Sequence, residues 1–169
     1  MNRTIYVIGT SHLYQHLSKD ISDDAHISFR GLIKTIIEKY DISMVAEESN
    51  TEALEENGIP ESALQLIAKE LRVKHLFTEA SRSYRSKNGM EQENDIRISG
   101  LMNDQDEQEI EKRIQDSYRT RERYWLNLIA VEDVWPVLHV CGANHAAEFS
   151  KLVITHNFKC ELLYEDWDN

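Results

Sequence analysis

The sequence has few of the residues that build cross-linked or turn-rich proteins. It holds two cysteines, two prolines and six glycines in 169 residues. Two cysteines are too few for a disulfide framework, and so few prolines and glycines argue against a many-stranded antiparallel β protein, whose turns need them. Cys141 and Cys160 each lie in a segment that reads as a strand. We therefore expect reduced thiols and a cytoplasmic protein.

Long apolar runs and an excess of basic residues are also missing. No run approaches the roughly 18 apolar residues that a membrane span needs, and the first residues lack the basic and apolar pattern of a signal peptide. Nineteen Lys and Arg stand against 30 Asp and Glu, for a net charge of −11. Nucleic-acid binding needs the opposite sign on at least one face. We therefore expect neither a membrane nor a nucleic acid as a partner.

The sequence does contain the composition of a globular domain and an alternation of strand and helix patterns. With 41% apolar and 29% charged residues, the chain can bury a core, and its length fits one domain over residues 1–169. Strands are predicted over residues 4–8, 42–46, 73–77, 137–141 and 159–164, and helices over residues 28–40 (with Ser28 as N-cap), 60–71, 104–131 and 146–156. The polar residues 81–106 are predicted to form a long loop or a partly helical insertion. This alternation predicts an α/β fold with a mostly parallel central sheet flanked by helices.

One four-residue pattern, GxxH, occurs twice, each time directly after a predicted buried strand. The first copy runs from Gly9 to His12 and the second from Gly142 to His145. In open α/β sheets, ligands bind outside the carboxyl ends of the strands. Glycine lets the backbone turn tightly and approach a ligand, and the small residues between keep space clear. If the two strands are neighbours, both imidazoles reach one crevice.

Carboxylates end the other predicted strands: Glu47 and Glu48 follow the second, and Glu79 follows the third. Successive strand residues point to opposite sides of a sheet, so only one of the adjacent pair readily serves a given site. We prefer Glu47, because it lies closer to the sheet, and expect Glu48 to be a solvated acid or a charge at a helix N-terminus. Imidazoles with a carboxylate form either a first-row metal site or a base with its orienting partner. His12, Glu47 and His145 are therefore candidate ligands for a divalent metal (Mn, Co or Zn) and candidate catalytic residues.

The two strand-end GxxH motifs, a glutamate after the second strand and an arginine early in the long helix resemble the Tiki/TraB superfamily. That superfamily also includes the erythromycin esterases and the ChaN haem-binding lipoproteins. The resemblance covers roughly the first 50 and the last 50 residues, on the strength of the joint order of short motifs. The site residues that it implies are His12, His145, one of Glu47 and Glu48, and Arg121 in preference to Arg123.

The resemblance implies a hydrolase that acts on an amide or ester. Either His12, Glu47 and His145 hold a divalent metal, or His12 acts directly as the base, and Arg121 stabilises the oxyanion. The alternative is a non-catalytic module that binds a small molecule, haem or a metal in the same pocket, because the superfamily also contains binders. A nucleotide-binding domain is disfavoured, since the first glycine loop lacks the GxGxxG spacing.

The expected substrate is a small molecule or a peptide. The candidate substrate-binding residues are Gly9, Ser11, Glu48, Glu79, Arg85, Gly142 and Asn144. The chain is shorter than typical members of the superfamily. The resemblance therefore implies that elements covering the site are missing and that a second copy, in a homodimer, supplies the cover.

Overall fold

The computed structural model describes residues 3–168, whose strands form one parallel sheet. The strands are β1 (Thr4–Thr10), β2 (Met44–Glu47), β3 (Lys74–Phe77), β4 (Val137–Gly142) and β5 (Lys159–Trp167). Their order across the sheet is β3-β2-β4-β1-β5, and every neighbouring pair is parallel. Parallel neighbours need long crossover connections, which here contain the helices. The predicted α/β class, with a parallel sheet flanked by helices, is confirmed.

Eight helices lie between the strands of the described chain. They are α1 (His12–Gln15), α2 (Asp23–Lys39), α3 (Thr51–Glu56), α4 (Ala63–Leu71), α5 (Arg82–Asn88), α6 (Glu93–Met102), α7 (Glu107–Glu132) and α8 (Ala143–Thr155). The polar segment over residues 81–106, predicted as a loop or a partly helical insertion, contains α5 and α6. Among residues 3–168, no helix has the length and apolar character needed to cross a membrane.

Two helices begin at serines that the sequence pattern did not select. The Ser22 side chain accepts a hydrogen bond from the first turn of α2, and two aspartates in that turn favour the positive end of the helix dipole. The prediction of Ser28 as the N-cap is wrong, because Ser28 lies inside α2. Likewise α4 begins after Ser62, in a capping box with Gln65, and not at Pro60.

The sheet is buried on both faces, and alternate residues of β1 mark the two layers. Ile8 packs in one core with Phe29 of α2 and with α4, whereas Val7 packs in the other core with Trp125 of α7 and Phe149 of α8. A smaller apolar cluster joins α6 to the first half of α7. Helices α2 and α8 therefore lie on opposite faces of the sheet.

This arrangement opens a crevice between β1 and β4. The two strands are adjacent, and Thr10 pairs with Gly142 at their carboxyl ends. The chain leaves β1 toward α2 on one face and leaves β4 toward α8 on the other. Such a point, where neighbouring strands send their connections to opposite faces, is where open α/β sheets bind ligands. The two GxxH segments flank it.

Gly9 and Gly31 offer a matched test of the packing at this edge. A Cβ at Gly9 would overlap the carbonyl oxygen of Glu165 and lie 2.8 Å from Cβ of Ala146, whereas one at Gly31, inside α2, would meet nothing within 4 Å. We expect Gly9→Ala to lower the free energy of unfolding by about 2 kcal/mol or more. Gly31→Ala should raise it by about 1 kcal/mol, because alanine favours a helix. Urea unfolding of both variants measures this, and equal stability of the two would contradict the close packing at Gly9.

Candidate functional site

A cavity of about 620 Å³ opens at the carboxyl ends of β1, β2 and β4. Both GxxH segments contribute to its wall, together with residues from α7, from the start of α6 and from the end of β5. The residues lining it are Thr10, Ser11, His12, Leu13, His16, Glu48, Glu93, Tyr118, Arg121, Gly142, Ala143, Asn144, His145 and Asp166. The structure thus brings together the two histidines and the arginine that the sequence predicted for the site.

Glu48 lies in the wall of this cavity and is almost fully buried. Its Oε1 accepts a hydrogen bond from Nη2 of Arg121, and its Oε2 accepts one from the backbone N–H of Gly142 at 2.8 Å. The Nε2 atom of His12 lies 3.7 Å from Oε2, and that of His145 lies 3.7 Å from Oε1. One carboxylate therefore contacts β4 and α7 and faces both imidazoles.

The structure places Glu47, the carboxylate preferred from the sequence, outside the cavity. Glu47 is fully buried on the opposite face of the sheet, where its Oε1 accepts hydrogen bonds from Ser62 Oγ and from Nε2 of His75, the latter at 2.6 Å. The backbone N–H of Glu48 bonds the carbonyl of Val140 at 2.9 Å, which continues the ladder past the last residue of β2. Strand alternation therefore still holds at Glu48 and turns it toward the cavity.

The electrostatics of the cavity keep Glu48 ionised. Burial on its own would raise the pKa of this carboxyl, but electrostatic interactions with His12, Arg121 and His145 and the hydrogen bond from Gly142 outweigh burial and lower the pKa to about 2. A carboxylate with so low a pKa is a poor proton donor or acceptor near neutral pH. Glu48 therefore serves as a fixed negative charge, and the imidazoles are the groups suited to proton transfer.

His12 begins α1 and reaches the cavity with its side chain 45% exposed. Its Nδ1 lies 2.7 Å from Oε1 of Gln15, one turn further along, and its Nε2 faces Glu48 above Gly142. A Cβ at Gly142 would lie 3.2 Å from that Nε2, so the second GxxH glycine makes room for the first GxxH histidine. His12 is therefore held on one side and open to solvent on the other.

His145 lies in the first turn of α8 and is buried, with its side chain 5% exposed. Its Nδ1 lies 2.9 Å from Oε1 of Glu122, which is fully buried on α7. The ring packs against Tyr118 at 4.3 Å and Trp125 at 4.9 Å between centroids. Its Nε2 lies 3.5 Å from Nη1 of Arg121. His145 is therefore fixed on every side except the one that faces the cavity.

Arg121 joins the cavity to a second buried carboxylate. Its Nε and Nη2 donate to Oε2 of Glu79 at 3.1 and 2.9 Å, and Trp125 Nε1 donates to the same oxygen at 3.2 Å. Burial disfavours the charge, but Glu48 and Glu79 outweigh burial and raise the pKa of Arg121. Arg123 is exposed, so the structure agrees with the preference for Arg121. Arg121 is thus a permanent cation held between two carboxylates.

The N-terminus of α8 supplies backbone donors at the same place. Gly142 is its N-cap, and within residues 3–168 the helix has no side-chain cap. The first backbone N–H groups of a helix have no partner within it, and the helix dipole makes this end partly positive. Ala143, Asn144 and His145, the first three residues of α8, all line the cavity. This end of α8 is therefore suited to hold a negatively polarised oxygen.

The remaining predicted substrate-binding residues divide into two groups. Ser11, Gly142 and Asn144 line the cavity, as does Glu48. Gly9, Glu79 and Arg85 are not among its lining residues. Gly9 packs against Glu165 of β5 and Ala146 of α8. Glu79 bonds Arg121 and is not part of the cavity wall. Arg85 Nη1 donates to the carbonyl of Ala80 at 2.6 Å and lies 3.5 Å from Glu79.

Several residues of the site were not selected from the sequence. Gln15 and Glu122 hold the two imidazoles, and Tyr118 donates a hydrogen bond to Glu93 at the outer wall. Burial and the neighbouring Glu93 raise the pKa of Tyr118 to about 12, so its hydroxyl stays protonated. Helical spacing offers a signal for Gln15 alone, which follows His12 by three positions.

The side chains as arranged do not fit a resident divalent metal. Glu48 already bonds Arg121 with one oxygen and Gly142 with the other, and the two histidines face different oxygens of that carboxylate. Glu47, predicted as the third ligand, lies on the other face of the sheet. Within the described part of the chain, no group of three or more His, Cys, Asp or Glu side chains is placed to hold a metal ion. The predicted set of His12, Glu47 and His145 is therefore not assembled.

The pKa of Glu48 predicts how stability depends on pH. At pH 7, the ionised Glu48 stabilises the fold by about 3 kcal/mol relative to a carboxyl with the ordinary pKa of 4.5. As pH falls below 4.5, Glu48 becomes protonated in the unfolded chain but stays ionised in the folded chain down to about pH 2. The contribution of Glu48 to stability therefore shrinks to about 1 kcal/mol at pH 3. We expect Glu48→Gln to lose about 3 kcal/mol at pH 7 and about 1 kcal/mol at pH 3 in urea unfolding. The exposed Glu38→Gln is the control, and an equal loss at both pH values would contradict the assignment.

Comparison of the chain with protein-family models, with curated proteins and with solved structures finds no match. The resemblance to the Tiki/TraB superfamily therefore remains a prediction from the motifs, and the geometry of the cavity carries the functional argument.

Proposed function

We propose that this protein is a hydrolase that cleaves an ester or amide in the cavity at the carboxyl ends of β1, β2 and β4. One observation carries the proposal. The Nε2 atoms of His12 and His145 converge on the buried pair of Glu48 and Arg121, and each lies 3.7 Å from a Glu48 oxygen. Charged groups are costly to bury. Buried titratable groups that shift one another's pKa in a cleft are typical of active sites.

His12 is the proposed general base. It is the more exposed of the two histidines, and its Nε2 faces the cavity, where a water molecule can reach it. His12 takes a proton from that water as the oxygen attacks the carbonyl carbon of the substrate. The imidazolium that forms lies beside the Glu48 carboxylate, whose fixed negative charge stabilises it. The same proton then passes to the leaving oxygen or nitrogen as its bond to carbon breaks.

The N-terminus of α8 is the proposed oxyanion site. The carbonyl oxygen becomes negative when water adds, and backbone N–H groups aimed at that charge lower the barrier. Arg121 adds a positive charge nearby, although Glu48 and Glu79 already neutralise much of it. We therefore assign the larger part of the oxyanion stabilisation to the first turn of α8 and a supporting role to Arg121.

Hydrolysis of p-nitrophenyl acetate and butyrate and of a p-nitroanilide tests the proposal. We expect His12→Ala to lower kcat by about 10² to 10⁴, the usual contribution of a general base. His145→Ala should also lower it, while the exposed His156→Ala, outside the cavity, leaves it unchanged. Dialysis against EDTA should leave the wild-type rate unchanged, because the proposed steps use side chains and backbone only.

Two results would contradict the enzyme proposal. Equal rates in the wild type, His12→Ala and His145→Ala would place any hydrolysis outside this cavity. A compound from a thermal-shift screen that stabilises the wild type, fails to stabilise His12→Ala and is recovered intact would favour the binding module. A rate lost on EDTA treatment and restored by Mn²⁺ or Zn²⁺ would show that a metal takes part.

A further inference from the structure

We propose that Gln15 and Glu122 are positioning residues that keep His12 and His145 protonated at Nδ1, so that Nε2 of each ring is a hydrogen-bond acceptor. Neutral imidazole carries its proton on one nitrogen and accepts on the other, and its partners decide which. The catalytic consequence of this inference rests on the proposed function. The proton positions do not, because they follow from the contacts alone.

The orientation of the Gln15 amide decides the tautomer of His12. Gln15 is fully buried, and its Nε2 lies 3.2 Å from the backbone carbonyl oxygen of Val140, in β4. A carbonyl oxygen only accepts, so the NH₂ end of the amide must point to Val140 and its oxygen to His12. That oxygen lies 2.7 Å from Nδ1 of His12. Nδ1 must therefore donate, which leaves Nε2 as the acceptor.

Two independent contacts decide the tautomer of His145. On one side, Nδ1 lies 2.9 Å from the Glu122 carboxylate, which accepts hydrogen bonds. On the other side, Nε2 lies 3.5 Å from Nη1 of Arg121, and a guanidinium only donates. Both contacts require the proton on Nδ1. The second oxygen of Glu122 forms an ion pair with Arg119, whose Nη1 lies 2.7 Å away.

The two partners make both Nε2 atoms acceptors: that of His12 faces the cavity, and that of His145 accepts from Arg121. With the proton on Nε2, His12 would present an N–H to the cavity and could not take a proton from water. In serine proteases, a change that stabilises the wrong histidine tautomer lowers kcat by about 10⁴. Gln15 and Glu122 therefore affect the catalytic rate through the tautomers of His12 and His145, and not by contact with the substrate.

The first test reads the tautomers without any substrate. In ¹⁵N-labelled wild type near pH 8.5, long-range ¹H–¹⁵N spectra distinguish the protonated from the bare ring nitrogen. We expect His12 and His145 to carry the proton on Nδ1. Two other histidines serve as internal standards, because His26 Nε2 lies 2.8 Å from the carbonyl of Ser18 and His156 Nδ1 lies 2.9 Å from that of Leu152. They should show opposite tautomers.

The variant Glu122→Gln tests the positioning of His145. Arg119 will bind the single carbonyl oxygen of the new amide, which leaves the NH₂ group facing Nδ1 of His145. The ring must then accept at Nδ1 and move its proton to Nε2. We expect the His145 signals to change to the other tautomer, with those of His12, His26 and His156 unchanged, and kcat to fall at an unchanged KM by no more than it falls in His145→Ala.

Glu148→Gln is the matched control, because Glu148 Oε2 lies 3.5 Å from the same Arg119 but its side chain is 45% exposed and lies outside the cavity. It should leave the tautomer of His145 and kcat unchanged. For His12, we expect Gln15→Met, which keeps the shape of the side chain and removes the amide, to give averaged signals of two tautomers and a lower kcat.

Specific outcomes overturn the inference. Wild-type His12 or His145 protonated on Nε2 would contradict it directly, even if neither variant folds. An unchanged His145 tautomer in Glu122→Gln would remove the positioning role of Glu122. If the tautomers are as expected but no probe ester or anilide is cleaved, the inference stands and the proposed hydrolase fails. If the probes are cleaved but the protons lie on Nε2, the protein is a hydrolase, but this inference fails and so does the role of His12 as general base.

Discussion

The buried ion pair between Glu48 and Arg121 is the interaction on which the rest of the site depends. Removing one partner of such a pair leaves an uncompensated buried charge, which costs about 3 to 5 kcal/mol. The pair forms only when β2 and α7 are docked, and the backbone N–H of Gly142 adds β4 to it. The same carboxylate faces both imidazoles. Folding therefore brings the charged groups of the cavity together without a bound ligand.

The strand-end motifs could be predicted from the sequence, because a buried β-branched run followed by glycine is a local signal. Their convergence on one crevice required β1 and β4 to be neighbours, which they are. The choice between Glu47 and Glu48 could not be made locally. It depends on which face of the sheet α7 covers: Met44 and Ala46, which share the parity of Glu48, pack with α7, whereas Val45 packs with α2 and α4. Strand order and crossover direction decide that face, and neither is present in a short pattern.

Gln15 and Glu122 could not be found by motif for a related reason. Each is a single polar residue on a buried part of a helix. In the sequence, such a residue could equally be predicted to be exposed to solvent. Its role appears only when the partner imidazole, supplied by the adjacent turn or by another helix, is in place. Buried polar side chains need hydrogen-bond partners, and for the fully buried Gln15 and Glu122 the imidazoles of His12 and His145 are among those partners.

The two GxxH segments share a pattern but place their histidines in different surroundings. After β1, the chain forms a helix of four residues and His12 remains 45% exposed, whereas after β4 it forms a helix of 13 residues and His145 is 5% exposed. A proton acceptor that turns over must exchange its proton with substrate or solvent, which requires access. A group that stabilises charge works better when it is rigid and desolvated. The same four-residue motif therefore places a solvent-accessible imidazole on one side of the crevice and a buried one on the other.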